Sequence, residues 1–300
     1  MSAMRDAPMP TRDTPAEILK LEARGPDLFV GESGGNNHLG SVFGGRLVAQ
    51  SLLAAMETVE ALPVSSLHAY FLAPGVTSLP LEYRVVRLRD SRRFANRQIT
   101  ALQGGRPIFA LLCEFHAPEE GFFHQAAAMP DVPPPEDVPT IQQFVRERAA
   151  ELDVAAIRNF TDALPINMRP VSPETYLIHR PDRPERIFWF RQPSAPDIED
   201  PRQHQCLLAF GSDYWLAGVA AVPHFFPTNS DHFMISSLDH SMWFHRPARA
   251  DEWLLHHTFS PAAGDGLGLA MGRIFDRQGR LVASTAQESL LRRLAKPSDS

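Results

Sequence analysis

The sequence predicts an α+β fold of two tandem units, each with a long apolar helix wrapped by a curled antiparallel sheet. A helical apolar pattern begins at Phe43, and a second, almost wholly apolar run covers residues 207–226. Strand-like segments separated by turn residues follow each run. Blocks of the first series recur in the second, which favours duplication of one helix-and-sheet unit.

Composition limits the class of protein. The 300 residues suffice for one large domain or for two domains of ordinary size, each with its own core. With 44% hydrophobic and 21% charged residues, the chain is typical of a soluble globular protein. Its formal net charge of −6 argues against a nucleic-acid partner, since such proteins present a strongly basic face.

The expected compartment is the cytoplasm. The N-terminal residues lack the apolar core of a signal peptide, and we identify no stretch near the ~18 apolar residues that a membrane span needs. Cys113 and Cys206, the two cysteines, lie within apolar runs, so we expect no disulfide and a reducing environment. We therefore expect no membrane partner.

The N-terminal region is expected to form a mobile tail and one short helix. Thr14-Pro15-Ala16-Glu17 has the form of a capping box with proline at the first helical position, which predicts a helix from Pro15 to about Ala23.

The proline-rich segment DVPPPEDVP, residues 131–139, suits neither a core helix nor a central strand and indicates a linker. A helix over about 139–158 should be attached to it. The expected divisions are a flexible tail at 1–15, an N-terminal unit at 16–125, a linker with a helix at 126–160 and a C-terminal unit at 161–295.

The first unit begins with a short strand at 28–31 and a Gly/Asn-rich loop. A helix should follow from Phe43, since apolar residues recur at helical spacing with only a thin polar face. Three segments then have strand character and are separated by turn residues: HAYFLAPG, LEYRVVRLRD and FANRQITALQGGRPIFALLCEFHAP.

The second unit repeats this order. A strand at 187–193 precedes a buried helix at 213–225, which we expect to open at Gly-Ser-Asp with Asp213 at its N-terminus. Strands are expected at 235–247, 253–262, 267–275 and 280–291. SLHAYFLAP resembles SLDHSMWFHRP, and QGGRPIFALLCEF resembles RQGRLVASTAQES, at nearly equal separations along the chain.

Several of these blocks carry a specific resemblance. SVFGGRLVAQSLLAA, LHAYFLAPG, HAPEEGFFHQ, SLDHSMWFHRP and LVASTAQE span nearly the whole chain in order and resemble the signature blocks of TesB-type acyl-CoA thioesterase II. The resemblance implies a double hotdog fold and hydrolysis of fatty acyl-CoA to free fatty acid and coenzyme A. It also implies an Asp, a Thr or Ser, and a Gln that hold and activate the attacking water. The matching positions are Asp213, Ser237 and Gln287.

The implied residues suit the implied chemistry. Asp213 can accept a proton from water as a general base, while Ser237 and Gln287 orient that water by hydrogen bonding. Backbone N–H groups at a helix N-terminus can stabilise the oxyanion that develops on the thioester carbonyl. No covalent acyl-enzyme and no cofactor are required. The structural alternatives are an N-cap for Asp213, an ordinary strand serine for Ser237 and a buried amide for Gln287.

Other motifs in the sequence resemble functional sites but lack the context that such sites require. Ser33 fits G-x-S-x-G, but no helix follows it directly, so a nucleophilic serine is disfavoured. Adjacent Asp-His and His-His pairs point to opposite faces of a strand, so no metal site is expected. Asp239 and His240 should support the sheet and the site beneath Ser237. An arginine cluster at a predicted hairpin could pair with coenzyme A phosphates or form a solvated tip: Arg89, Arg92, Arg93 and Arg97.

Two functions other than a thioesterase are compatible with a double hotdog fold. A hotdog enoyl-CoA hydratase is disfavoured because the resemblance to that class requires a His five residues after the helix Asp, where this chain has Gly218. A non-catalytic acyl-CoA-binding protein is disfavoured because Asp213, Ser237 and Gln287 are all present.

The sequence predicts one active site per chain. The first unit lacks an acid at the start of its helix, and it has Cys113 at the position that corresponds to Gln287 in the second unit. The chain is expected to associate further into a dimer or tetramer.

Overall fold

The computed structural model describes residues 14–35, 40–152, 160, 164–179, 183–192, 195, 197–224 and 233–293. Within these ranges all strands belong to one antiparallel sheet. In chain order they are β1 (Glu22–Gly25), β2 (Leu28–Gly31), β3 (Val64–Phe71), β4 (Leu81–Asp90), β5 (Phe94–Gln103), β6 (Arg106–His116), β7 (Asn167–Pro170), β8 (Glu185–Arg191), β9 (Phe233–Ser237), β10 (Asp239–Phe244), β11 (Leu254–Gly264), β12 (Leu267–Phe275) and β13 (Leu281–Arg293).

The spatial order of the strands shows the duplication. It is β1-β2-β4-β5-β6-β3-β10-β13-β12-β11-β8-β7, with β9 also beside β13. The two halves of this order meet at β3 and β10, where His240 lies opposite Ala69 and Ser241 opposite His68. On either side the strands follow in corresponding succession, so the α+β prediction of two helix-and-sheet units is confirmed.

Five α-helices are described. They are α1 (Pro15–Ile18), α2 (Gly44–Met56), α3 (Ile141–Glu147), α4 (Glu174–Leu177) and α5 (Pro201–Ser212), beside 3-10 helices at Pro135–Asp137, Ala149–Glu151 and Ala217–His224. The predicted capping box at Thr14 is present, but α1 ends at Ile18 rather than near Ala23. The expected tail therefore includes the first residue of this helix, and residues 1–13 lie outside the described part. Likewise α3 is shorter than the predicted 139–158, of which residues 153–158 are not described.

The two long helices α2 and α5 share one core. The face of α2 that contacts the sheet and α5 is fully buried, with Val48 and Leu52 inaccessible to solvent. Cys206 on α5 places its sulfur 3.5 Å from that of Met56 on α2. Both cysteines are free and buried, as predicted. Burial raises the pKa of both thiols, that of Cys113 to about 12, and so keeps them protonated.

The prediction of a helix at 213–225 is wrong. Helix α5 begins at Pro201, where Asp200 accepts a hydrogen bond from the Arg202 N–H, and Asp213 is the residue that ends it. A turn follows, with Trp215 in the left-handed region at φ 61°, before the 3-10 helix. The first turns of α5 are polar, so the apolar run begins in the middle of the helix and made the Gly-Ser-Asp segment resemble a helix start.

The expectation of no membrane-length apolar stretch also needs correction. The segment Pro201–His224 is long and apolar enough to cross a membrane by composition, with a mean hydropathy of 1.3. In the structure 72% of that window is buried inside the fold, where α5 packs on α2 and the 3-10 helix packs on β11 and β12. Its apolar character is that of a core segment of the second unit.

Candidate functional site

The structure brings the three predicted residues together from three elements. Asp213 ends α5, Ser237 ends β9, and Gln287 lies in β13. The Gln287 side chain is fully buried, and its Nε2 donates hydrogen bonds to Asp213 Oδ1, at 3.1 Å, and to Ser237 Oγ. Asp213 is itself buried, while Ser237 remains partly accessible. The serine side is thus the open side of the cluster.

A β-bulge opposite Gln287 positions Ser237. Ser237 pairs with Ser289, and Ser241 pairs with Ala286. Between these pairs, the three residues 238–240 lie opposite only two residues of β13, Gln287 and Glu288, so this side has one extra residue. In a regular strand, side chains three positions apart point to opposite faces. The extra residue turns Ser237 and His240 toward the same buried face.

Asp213 occupies the N-terminus of helix α2, which belongs to the other unit. The N-cap residue of α2, Phe43, makes no side-chain capping bond, and the Gly45 N–H donates to the Asp213 carboxylate instead. The approach is close, since a Cβ on Gly44 would lie 2.7 Å from Asp213 Oδ2. Asp213 was predicted at the N-terminus of its own helix; it ends that helix and caps the helix of the first unit.

The surroundings of Asp213 act on its protonation in opposite directions. Burial raises the pKa of the carboxyl group and is the largest influence. The charge of His240, the Gln287 amide and the Gly45 N–H all favour the carboxylate and lower the pKa. Burial prevails, so the pKa lies above the ordinary aspartate value. A carboxylate with a raised pKa accepts a proton from water more readily than an exposed one.

His240 extends the cluster beyond the predicted residues. It is fully buried, with Nδ1 3.2 Å from Gln287 Oε1 and Nε2 3.0 Å from Ser212 Oγ. Its neighbour Asp239 accepts the Glu288 N–H at 2.7 Å and so ties β10 to β13, as expected of a supporting residue. No pattern in the sequence indicated Ser212, and the sequence led us to expect His240 beneath Ser237 but predicted no hydrogen bond for it.

Two of the other sequence candidates, Ser33 and Arg97, have structural roles. Ser33 donates to the Leu79 carbonyl and accepts from Gln103 at 3.2 Å. Arg97 is fully buried, donates to backbone carbonyls and Thr58, and pairs with Asp90. It is therefore not available to a phosphate. No group of three or more His, Cys, Asp or Glu side chains converges as a metal site in the part of the chain that is described.

Two family models match this chain. The model described as acyl-CoA thioesterase N-terminal domain matches residues 33–116, and the one described as acyl-CoA thioesterase C-terminal domain matches residues 135–291.

The chain belongs to the acyl-CoA thioesterase family.

Relatives and solved structures agree with membership of the acyl-CoA thioesterase family. The chain is 36% identical to human acyl-coenzyme A thioesterase 8, over 92% of this chain and 88% of that protein. It is also 36% identical to acyl-CoA thioesterase 2 of Haemophilus influenzae, over 92% and 96%. The crystal structure of acyl-CoA thioesterase II TesB2 from Mycobacterium marinum superposes with a TM-score of 0.76 at 37% identity, covering 96% of this chain and 100% of that one.

The fold comparison also reaches a more distant protein. A protein from Alicyclobacillus acidocaldarius described as having a hot dog fold superposes with a TM-score of 0.73 at 21% identity, over 94% of this chain and 98% of that one. Together with the two helix-and-sheet units, this likeness confirms the double hotdog expected from the sequence.

Proposed function

We propose that Asp213, Ser237 and Gln287 catalyse the reaction of this acyl-CoA thioesterase. The chain is a thioester hydrolase, and its substrate is an acyl-CoA, which it splits with water into a fatty acid and coenzyme A. The observation that carries the assignment of residues is the Gln287 amide, which holds a buried carboxylate and a partly accessible hydroxyl at one point.

Asp213 acts as the general base in the proposed mechanism. A water held between the Asp213 carboxylate and the Ser237 hydroxyl attacks the thioester carbonyl carbon, and Asp213 takes its proton. The C–S bond then breaks as the tetrahedral intermediate collapses, and protonated Asp213 returns the proton to the departing thiolate. Both N–H groups of Gln287 are used in holding Asp213 and Ser237, so the Ser237 proton stays available to the water.

The N-terminus of α2 serves the oxyanion in this mechanism. The backbone N–H groups and the dipole at the start of α2 place partial positive charge beside the Asp213 carboxylate, where the attacked carbonyl must lie. A site built on Asp213 thus draws catalytic charge from the first unit, which has no acid of its own at this helix.

Release of free thiol from short to long acyl-CoA esters tests the assignment. Asp213→Asn should lower kcat by about 10²–10⁴-fold, the usual contribution of a general base. Asp27→Asn, at an exposed carboxylate paired with Arg87, is the matched control and should retain full activity. A folded wild-type protein that binds acyl-CoA without releasing thiol would instead favour a non-catalytic acyl-CoA-binding protein.

We also propose that the enzyme is a cytoplasmic dimer or tetramer with units at 16–125 and 161–295 and a linker at 126–160. The outer face of the sheet supports association, since it exposes apolar side chains on four of its strands, β3, β6, β10 and β12: Tyr70, Leu112, Trp243 and Met271. Light scattering across a range of protein concentration measures the assembly, and a monomer at every concentration would contradict it.

A further inference from the structure

We propose that His240 is a positioning residue that fixes the orientation of the Gln287 amide, with Ser212 as its support. The inference rests on the proposed role of Gln287 in catalysis. His240 has no direct contact with the place where water and thioester would meet. It acts on the reaction only through the hydrogen bond from its Nδ1 to Gln287 Oε1.

The hydrogen-bond partners around Gln287 favour one orientation of its side-chain amide. An amide has two N–H donors on Nε2 and an acceptor at Oε1. Nε2 faces Asp213 Oδ1 and Ser237 Oγ, and Oε1 faces His240 Nδ1. Rotating the amide by half a turn would set Oε1 against the Asp213 carboxylate, acceptor against acceptor. His240 Nδ1 must therefore carry a proton, and that N–H secures Oε1.

Ser212 fixes the other side of the imidazole. Its Oγ lies 3.0 Å from His240 Nε2 and 2.9 Å from the Ala209 carbonyl oxygen. In neutral His240 the Ser212 hydroxyl donates to Nε2; in cationic His240 it accepts from Nε2–H and donates to Ala209. The ring keeps a partner on both nitrogens in either state, so its orientation does not depend on its charge.

Burial makes this orientation matter. Gln287, His240 and Ser212 are all fully buried, so no water replaces a lost partner without rearrangement. Without the Nδ1–H, Oε1 would be an unsatisfied buried acceptor and the amide would rotate. Asp213 and Ser237 would then lose the group that sets their spacing. The expected loss is in kcat, because the acyl-CoA binding surface is unchanged.

The test is a series of variants assayed for thiol release. His240→Leu removes both nitrogens and should lower kcat about 100-fold, the scale of a displacement of about 1 Å in a reacting group, with KM nearly unchanged. His240→Asn places an amide N–H where Nδ1 lies and should restore most of the activity. Ser212→Ala should give a smaller fall. If His240→Leu does not fold, the Asn and Ser212→Ala variants still carry the test.

A double-mutant cycle separates this inference from the proposed function. Gln287→Leu alone should be strongly impaired, and adding His240→Leu should reduce kcat no further, because both changes remove the same orientation. Full activity in His240→Leu with an impaired Gln287→Leu would overturn the role of His240 and leave that of Gln287 intact. Full activity in Gln287→Leu would overturn the proposed function itself. If the losses of kcat in the double variant were additive, His240 would have only a packing role. Equal losses of kcat in His240→Asn and His240→Leu would lead to the same conclusion.

Discussion

At the scale of single residues, burial of the charged Asp213 side chain lowers the stability of the fold. Asp213 is a buried carboxylate, and burial raises its pKa despite the partners that favour its charge. The fold therefore binds the Asp213 proton more tightly than the unfolded chain does. The stability linked to this group is present below the ordinary aspartate pKa and is lost as pH rises through the raised value.

Asp213→Asn should consequently be more stable than the wild type at neutral pH while being nearly inactive. We expect the free energy of unfolding to increase by about 1–2 kcal/mol. Gains of this size are usual when a destabilising residue of a functional site is replaced. Urea unfolding at about pH 5 and about pH 8 measures it, and the gain should be larger at the higher pH. An equal stability of both proteins at about pH 8 would contradict the raised pKa.

His256 provides a second residue-scale prediction. Both of its ring nitrogens are buried without a hydrogen-bond partner, and burial lowers its pKa from 6.5 to about 3. His240 and His257 contribute to the same shift. The stability linked to neutral His256 is complete above 6.5 and is lost as pH falls from 6.5 toward 3.

His256→Leu should remove this sensitivity to acid. The variant is expected to gain about 1–3 kcal/mol, the usual penalty for an unsatisfied buried polar group, and to lose less stability than the wild type on acidification. Thermal unfolding across that pH range tests it. His116→Leu, at a half-exposed ring that pairs with Glu119, is the control and should leave the acid sensitivity in place.

At the scale of elements, the end of one helix and the start of another form the site. The N-terminus of α2 approaches α5 so closely that a Cβ on Gly45 would lie 2.4 Å from the Phe210 carbonyl oxygen. Backbone atoms cannot move aside as a flexible side chain can. The two glycines at the start of α2 thus permit the contact through which Asp213 caps the helix.

Gly45→Ala is therefore expected to force α2 and α5 apart. We expect a loss of about 1–3 kcal/mol in stability, as for overpacking elsewhere, together with a fall in kcat because the N–H of residue 45 moves away from the Asp213 carboxylate. Gly121→Ala, where no atom lies within 4 Å of the added Cβ, is the matched control. Wild-type stability and wild-type kcat in Gly45→Ala would show that α2 and α5 do not approach each other this closely.

At the scale of the whole molecule, the two units are joined by a continuous sheet and a shared core. Strands β3 and β10 pair across the boundary, and α2 packs on α5. The chain that connects the units is exposed around Gly121 and carries the fully exposed side chain of Phe122. Association of the units should therefore not depend on that connection.

Limited digestion with chymotrypsin is expected to cut first after Phe122 or Phe123. The two fragments should elute together in gel filtration and keep thiol release near the uncut level, because the cut lies outside the sheet and the site. They should separate in denaturant. Fragments that separate under native conditions would show that the sheet across β3 and β10 does not hold the units together.

Sequence reasoning recovered the strands better than the helices. Strand β12 at Leu267–Phe275 was predicted to the residue, because Gly and Asp turns bound it on both sides. Helix α5 was misplaced because its first residues, 201–205, are polar and interrupt the apolar pattern, although Asp200 and Pro201 are a regular helix start. Periodicity predicts a helix where apolar residues recur on one face, and residues 201–205 at the start of α5 carry no such pattern.

The sequence by itself determined the α+β class, the duplication and, through the family blocks, the three residues that the site brings together. Only the tertiary structure decided how they act on one another. The bulge opposite Gln287 turns Ser237 and His240 to one face, and α2 of the first unit supplies the N–H groups that receive Asp213. The physical reason is that the local sequence pattern determines the helices and strands and their buried faces. Hydrogen bonds between distant elements depend instead on how those faces pack against one another.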